Sequence, residues 1–420
     1  MARGPESHDL MLLLGPVSYL DCLVFCVFLA PQLIWHVGFF ETVWCVLQAL
    51  PFFSVKLPVG LMRERYFLPP ENQSLFVQKA SSFEDFVIRC VRYAFEHVPA
   101  KIGRVFFSKE VALPFMQFRL LRHGYFRCPV PWREHREESF HGIWLIKNPE
   151  EKPDFVLFYA HGGGFSMGSS YFYLEFLLTW LSELEALGYS NPAIFALEYT
   201  LVPDAAFPTQ LNEAVRGYEH VLKVVQDPSL VCVSGDSAGA TLILSLLLHL
   251  GSQEANGIGY GRRLPVPALA VLISPWVTLV STRHRNTVSD YLDVKQLHQY
   301  GMQFAGGKMP EDEPLVSPGC CKDMSLWKRS SPSKGIYITY GTEEVFASEI
   351  EAFIGTVQET VVVKSEAAVG GIHAWPVASL FLSSNRLGFF DAPFNVFGYC
   401  VCSLMVIMNA GTRCEQGEER

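Results

Sequence analysis

Clustered positive charge is missing from this chain. Its 33 lysines and arginines are outnumbered by 42 acidic residues, giving a net charge of −9, and they form no basic run. Phosphate binding needs a concentrated cationic surface, so no nucleic-acid partner is expected. Cys/His groupings with zinc-ligand spacing are also lacking, and neither a metal nor another cofactor is expected. The eleven cysteines are scattered and odd in number. Cys22, Cys26, Cys45 and Cys232 sit in apolar runs and read as small core residues, and the Cys320-Cys321 pair reads as a chance neighbourhood. Cysteine usage therefore leaves the redox compartment open. There is no internal repeat, and no positive leader followed by a small-residue cleavage site. What the chain has in quantity is apolar surface. Half its residues are hydrophobic and its mean hydropathy is +0.20, high for a purely soluble enzyme.

Much of that excess lies at the N-terminus. From Leu10 to Phe53 the sequence is nearly continuous in apolar and aromatic residues, broken by Asp21, Pro31, His36 and Glu41. A membrane span needs about 20 apolar residues. Leu10 to Ala30 is long enough, but Asp21 near its centre would cost about 2.5–3.5 kcal/mol. Cys22 to Phe40 avoids Asp21 yet holds Pro31 and His36. One tilted span, a re-entrant hairpin and an interfacial anchor all fit, against a buried helical pair; membrane attachment is the expectation. Lys56, Arg63 and Arg65 follow the apolar stretch, which by the positive-inside rule puts the rest of the chain in the cytosol. Asn72-Gln73-Ser74 is a glycosylation acceptor triplet, relevant only on the opposite side.

Chemistry is concentrated further along. Val233-Ser234-Gly235-Asp236-Ser237-Ala238-Gly239 follows a β-branched run and precedes an apolar helical pattern. Strand, Gly-x-Ser-x-Gly, helix is the layout of a nucleophile elbow, in which a sharp turn lifts the serine Oγ clear of the sheet. Upstream, His161-Gly162-Gly163-Gly164 ends another strand-like run, Phe155-Val156-Leu157-Phe158. Glycines there let backbone amides point at a developing oxyanion, and the expected donors are the N–H groups of Gly163, Gly164 and Ala238. His161 reads as a loop-stabilising side chain. In a chain ordered Ser, acid, His, the base must be His373, since no other histidine lies beyond residue 344. It sits in a glycine-rich loop after Thr360-Val361-Val362-Val363-Lys364. The acid should follow the strand Gly335 to Tyr340, where Glu343 and Glu344 compete.

These residues resemble the hormone-sensitive-lipase-like branch of the α/β-hydrolases. Glu198-Tyr199-Thr200-Leu201-Val202-Pro203, then Phe207-Pro208, is similar to that branch's Asp-Tyr-Arg-Leu-Ala-Pro segment, and Ile273-Ser274-Pro275-Trp276 also fits. More narrowly, residues 10 to 380 resemble fungal steryl acetyl hydrolases. The resemblance favours Glu344 as the acid, because Glu344-Val345-Phe346 matches the family's Asp-Pro-Leu register. Thr200 stands where the broader family has Arg, so that arginine's contact is not carried over. The resemblance implies an α/β-hydrolase fold: a mostly parallel sheet with helices on both faces, an N-terminal helical cap and a membrane-associated apolar segment. It also implies an endoplasmic-reticulum membrane with a lumenal catalytic domain, the reverse of the charge rule.

The expected organisation is an apolar membrane-associated segment at 1–56, a helical cap or linker at 57–140, a catalytic domain at 141–385 and an atypical tail at 386–420. The tail carries an apolar run, Phe394 to Met408. The expected activity is hydrolysis of a carboxylic ester through Ser237, His373 and Glu344. By resemblance the substrate is a hydrophobic ester, an acetate of a sterol or terpenoid. A non-catalytic small-ligand receptor on the same fold and a transacylase are the alternatives.

Overall fold

Every residue of Phe155–Ala160, the strand β3, is buried, and alternate side chains enter different cores. Phe155, Leu157 and Tyr159 join one apolar cluster; Val156, Phe158 and Ala160 join the other. A strand buried on both faces must be covered by helices on both faces. That is the architecture of this computed structural model, which describes residues 14–253 and 263–382.

Among the described residues the sheet has eight strands, in the order β1-β2-β4-β3-β5-β6-β7-β8. They are β1 (Trp132–Glu137), β2 (Phe140–Ile146), β3, β4 (Pro192–Leu197), β5 (Val231–Asp236), β6 (Leu269–Ile273), β7 (Ile336–Gly341) and β8 (Val363–Ala368). β1 and β2 pair antiparallel, as do β2 and β4; from β4 through β8 all pairings are parallel. The stretch read as helical to residue 140 thus ends with a strand. β1 is a polar edge strand, Trp-Arg-Glu-His-Arg-Glu, with no alternating apolar face to betray it.

Among the described residues, seven α-helices precede the sheet: α1 (Tyr19–His36), α2 (Phe39–Pro51), α3 (Leu57–Met62), α4 (Leu75–Lys79), α5 (Ser82–His97), α6 (Ala100–Phe106) and α7 (Lys109–Arg122). Two π-helical turns join α2 and α3 and extend them, so Phe39–Phe67 is one helix of 29 residues. Seven more are interleaved with the strands: α8 (Leu174–Ala186), α9 (Thr209–Val225), α10 (Ala238–Ser252), α11 (Val294–Ala305), α12 (Met324–Ser330), α13 (Ala347–Val357) and α14 (Trp375–Leu382). α8 packs with Tyr159 and Leu157 on one face; α9 and α10 cover Phe158 and Val156 on the other. Each leucine-sized side chain so buried contributes about 2 kcal/mol.

The N-terminal helices are fastened to this body. Arg119, fully buried on α7, donates to both carboxylate oxygens of Glu175 (2.8 and 2.7 Å) and to the Gly15 carbonyl (2.6 Å). Asp21 of α1 is buried beside it and pairs with Arg122. The apolar run Phe394 to Met408 lies outside the described residues.

Candidate active site

The parallel strands β3, β5, β7 and β8 end on one side of the sheet. Gly163 and Gly164 follow β3, Ser237 follows β5, Glu344 follows β7 and His373 follows β8. Ser237 occupies the one-residue turn between β5 and α10, with φ 51° and ψ −119°. A non-glycine residue held there stores strain of order 1–3 kcal/mol. The neighbours must be small: a Cβ on Gly239 would overlap the carbonyl oxygens of Ala160 and His161.

The glycine loop is held by the residue before the serine. Asp236 Oδ1 accepts from the Gly162 amide (2.8 Å) and the Tyr159 hydroxyl (2.7 Å), and Oδ2 accepts from the Tyr173 hydroxyl (2.7 Å). Burial pushes its pKa up to about 6, against the pull of those three donors. Gly163 and Gly164 both take positive φ (114° and 61°). Phe165 then stacks on Phe304 at 3.7 Å and fixes the loop's far end. His161 is buried, and burial lowers its pKa to about 4. Its Nδ1 lies 2.7 Å from the Gly162 carbonyl, which can only accept, so Nδ1 carries the proton. The ring stacks on Tyr199 at 4.4 Å. These contacts make His161 part of the loop's scaffold.

The two glutamates of the β7 loop face different ways. Glu343 accepts from the amides of Leu75 (2.9 Å) and Phe76 (3.2 Å), at the start of α4. Glu344 is buried, and its Oε2 accepts from the Ser274 hydroxyl (2.6 Å) and the Gly341 amide (3.0 Å). Desolvation holds its pKa well above the usual carboxylate range.

His373 is also buried, with its ring 5.2 Å from that of Phe346 and 5.8 Å from that of Tyr291. Burial lowers its pKa to about 3. Its Nδ1 and the Oε1 of Glu344 are both enclosed, and neither has a hydrogen-bond partner among the described residues. Bonds within a catalytic constellation are often loose until substrate tightens them.

Two residues with no assigned role in the sequence reading organise these loops. Ser274, at φ 44°, donates to Glu344 and accepts from the Ala374 amide at 2.9 Å. Asp290, fully buried, accepts from the amides of Val345 (2.7 Å), His373 (3.2 Å) and Tyr291 (2.8 Å). Burial raises it to about 6. Serine in Ile-Ser-Pro-Trp was a visible signal; Asp290 sits in an unremarkable loop.

Away from this site, His135, Glu137 and His220 have potential ligand atoms within 4.8 Å of one another. The Trp144 indole N–H donates to Nε2 of His220 at 3.2 Å, so neutral His220 is protonated at Nδ1, towards Glu137. A metal on that Nδ1 would force two N–H groups together. The cluster is better described as hydrogen-bonded side chains on the sheet edge.

Sheet order and elbow define an α/β-hydrolase, and the relatives it matches are of the hormone-sensitive-lipase-like branch. An esterase crystal structure from the bacterial hormone-sensitive lipase family superposes with a TM-score of 0.57 at 22% identity, over 76% of this chain and 97% of that one. Residues 120–382 match the profile of the steryl acetyl hydrolase family, and the chain belongs to it. It is 33% identical over 175 residues to Acetyl-hydrolase of Streptomyces hygroscopicus, covering 40% of this chain and 53% of that protein. It is 36% identical over 129 residues to Neutral cholesterol ester hydrolase 1 of Pongo abelii, 29% of each chain. The matches thus span about half or less of these relatives' lengths.

Proposed function

We propose that this protein is a serine carboxylic-ester hydrolase acting through Ser237, His373 and Glu344. The Ser237 Oγ attacks the acyl carbonyl carbon while the His373 imidazole takes its proton. The carbonyl oxygen becomes an oxyanion held by the amides of Gly163, Gly164 and Ala238. Collapse expels the alcohol, which takes the proton back from His373, and leaves an acyl-serine. Water, deprotonated by His373, then attacks that ester and releases the acid. Glu344 orients the imidazole and balances its positive charge.

The observation that carries this reading is the Ser274 hydroxyl. It donates to Glu344 and accepts from Ala374, tying the acid's loop to the base's loop beside Ile273, whose carbonyl receives the Ser237 amide at 2.9 Å. The substrate we infer is a short-acyl ester of a hydrophobic alcohol, an acetate of a sterol or terpenoid. The family profile and the relatives' names support it. In this reading the helices between 57 and 140 cap the site and 141–385 is the catalytic domain. The apolar segment at 1–56 supports membrane association; the endoplasmic reticulum rests on the resemblance to the fungal branch.

The test is hydrolysis of p-nitrophenyl acetate and a steryl acetate by the full chain and by Ser237→Ala. Turnover of both, lost in the variant, supports triad and alcohol pocket together. Turnover of the small ester alone removes the sterol. No Ser237-dependent turnover overturns the proposal.

A further inference from the structure

Most of the large apolar side chains exposed among the described residues lie on α1 and on Phe39–Phe67. Trp35 is 83% exposed and Phe40 84%, at the junction of the two helices. From Cys22 to Phe40 there is no Asp, Glu, Lys or Arg. Both helices are long and apolar enough, by length and composition, to cross a membrane.

Their attachments to the body argue for a different placement. α1 is held at its start by the Asp21 pairs with Arg119 and Arg122. It is held again where Phe25 meets Phe106 (ring centroids 4.6 Å apart) and Phe115 (5.0 Å). Phe39–Phe67 is held near its start by the Glu41–Lys101 pair. At its middle Phe52 stacks on Tyr93 at 4.2 Å, and near its end Glu64 pairs with Arg89 at 2.8 Å. A helix crossing the hydrocarbon core must leave the aqueous body over about 30 Å. Phe39–Phe67, fastened to that body at start, middle and end, lies alongside it instead, and α1 is fastened through its first half, at Asp21 and Phe25. The body touches the long helix along a narrow stripe, no residue of Phe39–Pro51 is fully buried, and the rest of its circumference is available to lipid. The buried charge of Asp21, costly inside a bilayer, is consistent with this: protein surrounds it.

We infer that α1 and Phe39–Phe67 lie in the plane of one membrane leaflet, held flat against the body, and form a lipid-docking face. The inference rests on the membrane-associated reading above and replaces a span by an in-plane attachment. Exposed cations on the long helix are few, chiefly Lys56 and Arg63, so apolar burial drives docking and salt matters little. Docking brings the base's loop close to lipid. α5 turns Arg89 and Tyr93 towards the long helix. On its other side Arg92 donates to the Asp290 carbonyl at 2.7 Å, and Phe95 meets Tyr291 at 5.4 Å. One helix therefore separates the apolar face from the surroundings of His373.

The experiment uses the full chain and sealed phosphatidylcholine vesicles added from outside. Flotation should carry the protein with the vesicles equally at low and high salt. The double variant Trp35→Ser, Phe40→Ser should bind about ten-fold more weakly while keeping its circular dichroism. In a chain whose eleven native cysteines are all changed to Ser or Ala, and whose circular dichroism matches the parent, a nitrobenzoxadiazole dye is placed at Val37→Cys. It should be quenched completely by dithionite outside the vesicles, because the helix junction stays on the protein's side. A protected dye means the helices span, and overturns the inference. Folded protein that stays out of the floating fraction, alone or as a dimer, overturns it too. None of these readouts uses turnover, so they stand or fall separately from the esterase reading.

Discussion

Ser274 and Glu344 are 70 positions apart in sequence, yet the Ser274 hydroxyl lies 2.6 Å from Oε2 of the buried carboxylate. The Ser274 Oγ also accepts from the Ala374 amide, next to His373. Ser274 thereby ties the proposed acid to the loop that carries the proposed base. A hydrogen bond to a charged group is worth about 1.5–3 kcal/mol. Ser274→Ala should lower kcat roughly 10- to 100-fold with little change in KM, as steady-state kinetics on p-nitrophenyl acetate would register. Unchanged kcat would deny Ser274 a positioning role.

The two adjacent glutamates should behave very differently. In the proposed triad Glu344 is the partner of the His373 imidazole, so Glu344→Gln, which keeps the size but cannot ionise, should lower kcat on the order of 10³–10⁴-fold. Glu343→Gln weakens only the cap on α4, and kcat should change by less than about three-fold while stability drops by about 1 kcal/mol. Reversed effects in parallel kinetics and urea titrations would exchange their roles.

Asp236 should matter for stability as well as rate. Asp236→Ala strands the Gly162 amide and the hydroxyls of Tyr159 and Tyr173. Buried donors left unpaired cost about 1–3 kcal/mol each, so denaturation should show a loss of at least about 3 kcal/mol. Tyr173→Phe removes one donor together with its need, and should cost about 1 kcal/mol. If both variants are as stable as the parent, Asp236 does not hold the glycine loop.

Burial lowers His373 to about 3, well under its ordinary value of 6.5. A base with a depressed pKa stays neutral, and able to accept the Ser237 proton, further into acid. The acid limb of kcat/KM should accordingly lie below pH 6.5, in the range where circular dichroism still reports a folded chain. A limb at or above 6.5 would mean that an ionised Glu344 outweighs burial. Stability carries a related sign: His161, lowered to about 4, and His373 bind protons more readily when unfolded. Their contribution is full above about 6.5 and is lost as pH falls from there.

Some of this was readable from the residues in order. The strand-turn-helix around Ser237 and the strand before His161 announce themselves through local pattern, and the fold follows from their alternation. What local pattern could not reveal is partnership across the chain. Asp290 serves Val345 and His373, which lie more than 50 and 80 positions away, and an aspartate in a polar loop carries no sign of that. The separation of Glu343 from Glu344 is of the same kind, because it depends on α4 arriving from the far N-terminus. β1 escaped for another reason: an edge strand with polar residues on both faces has no period to detect.

The cap that Glu343 places on α4 bears on how this protein could be purified. Deleting the apolar helices is the obvious route to a tractable soluble form. A cut anywhere between Phe67 and Ser74 removes that greasy face but leaves the Leu75 and Phe76 amides in position. Starting instead at Ser82 would retain every strand and look equally sensible on a sequence diagram. It would set Glu343 loose one residue from Glu344 and strip Leu75 from Gly370, in the loop that leads to His373. Where the shortened chain begins would then determine whether an inactive preparation reports on the enzyme or merely on the scissors.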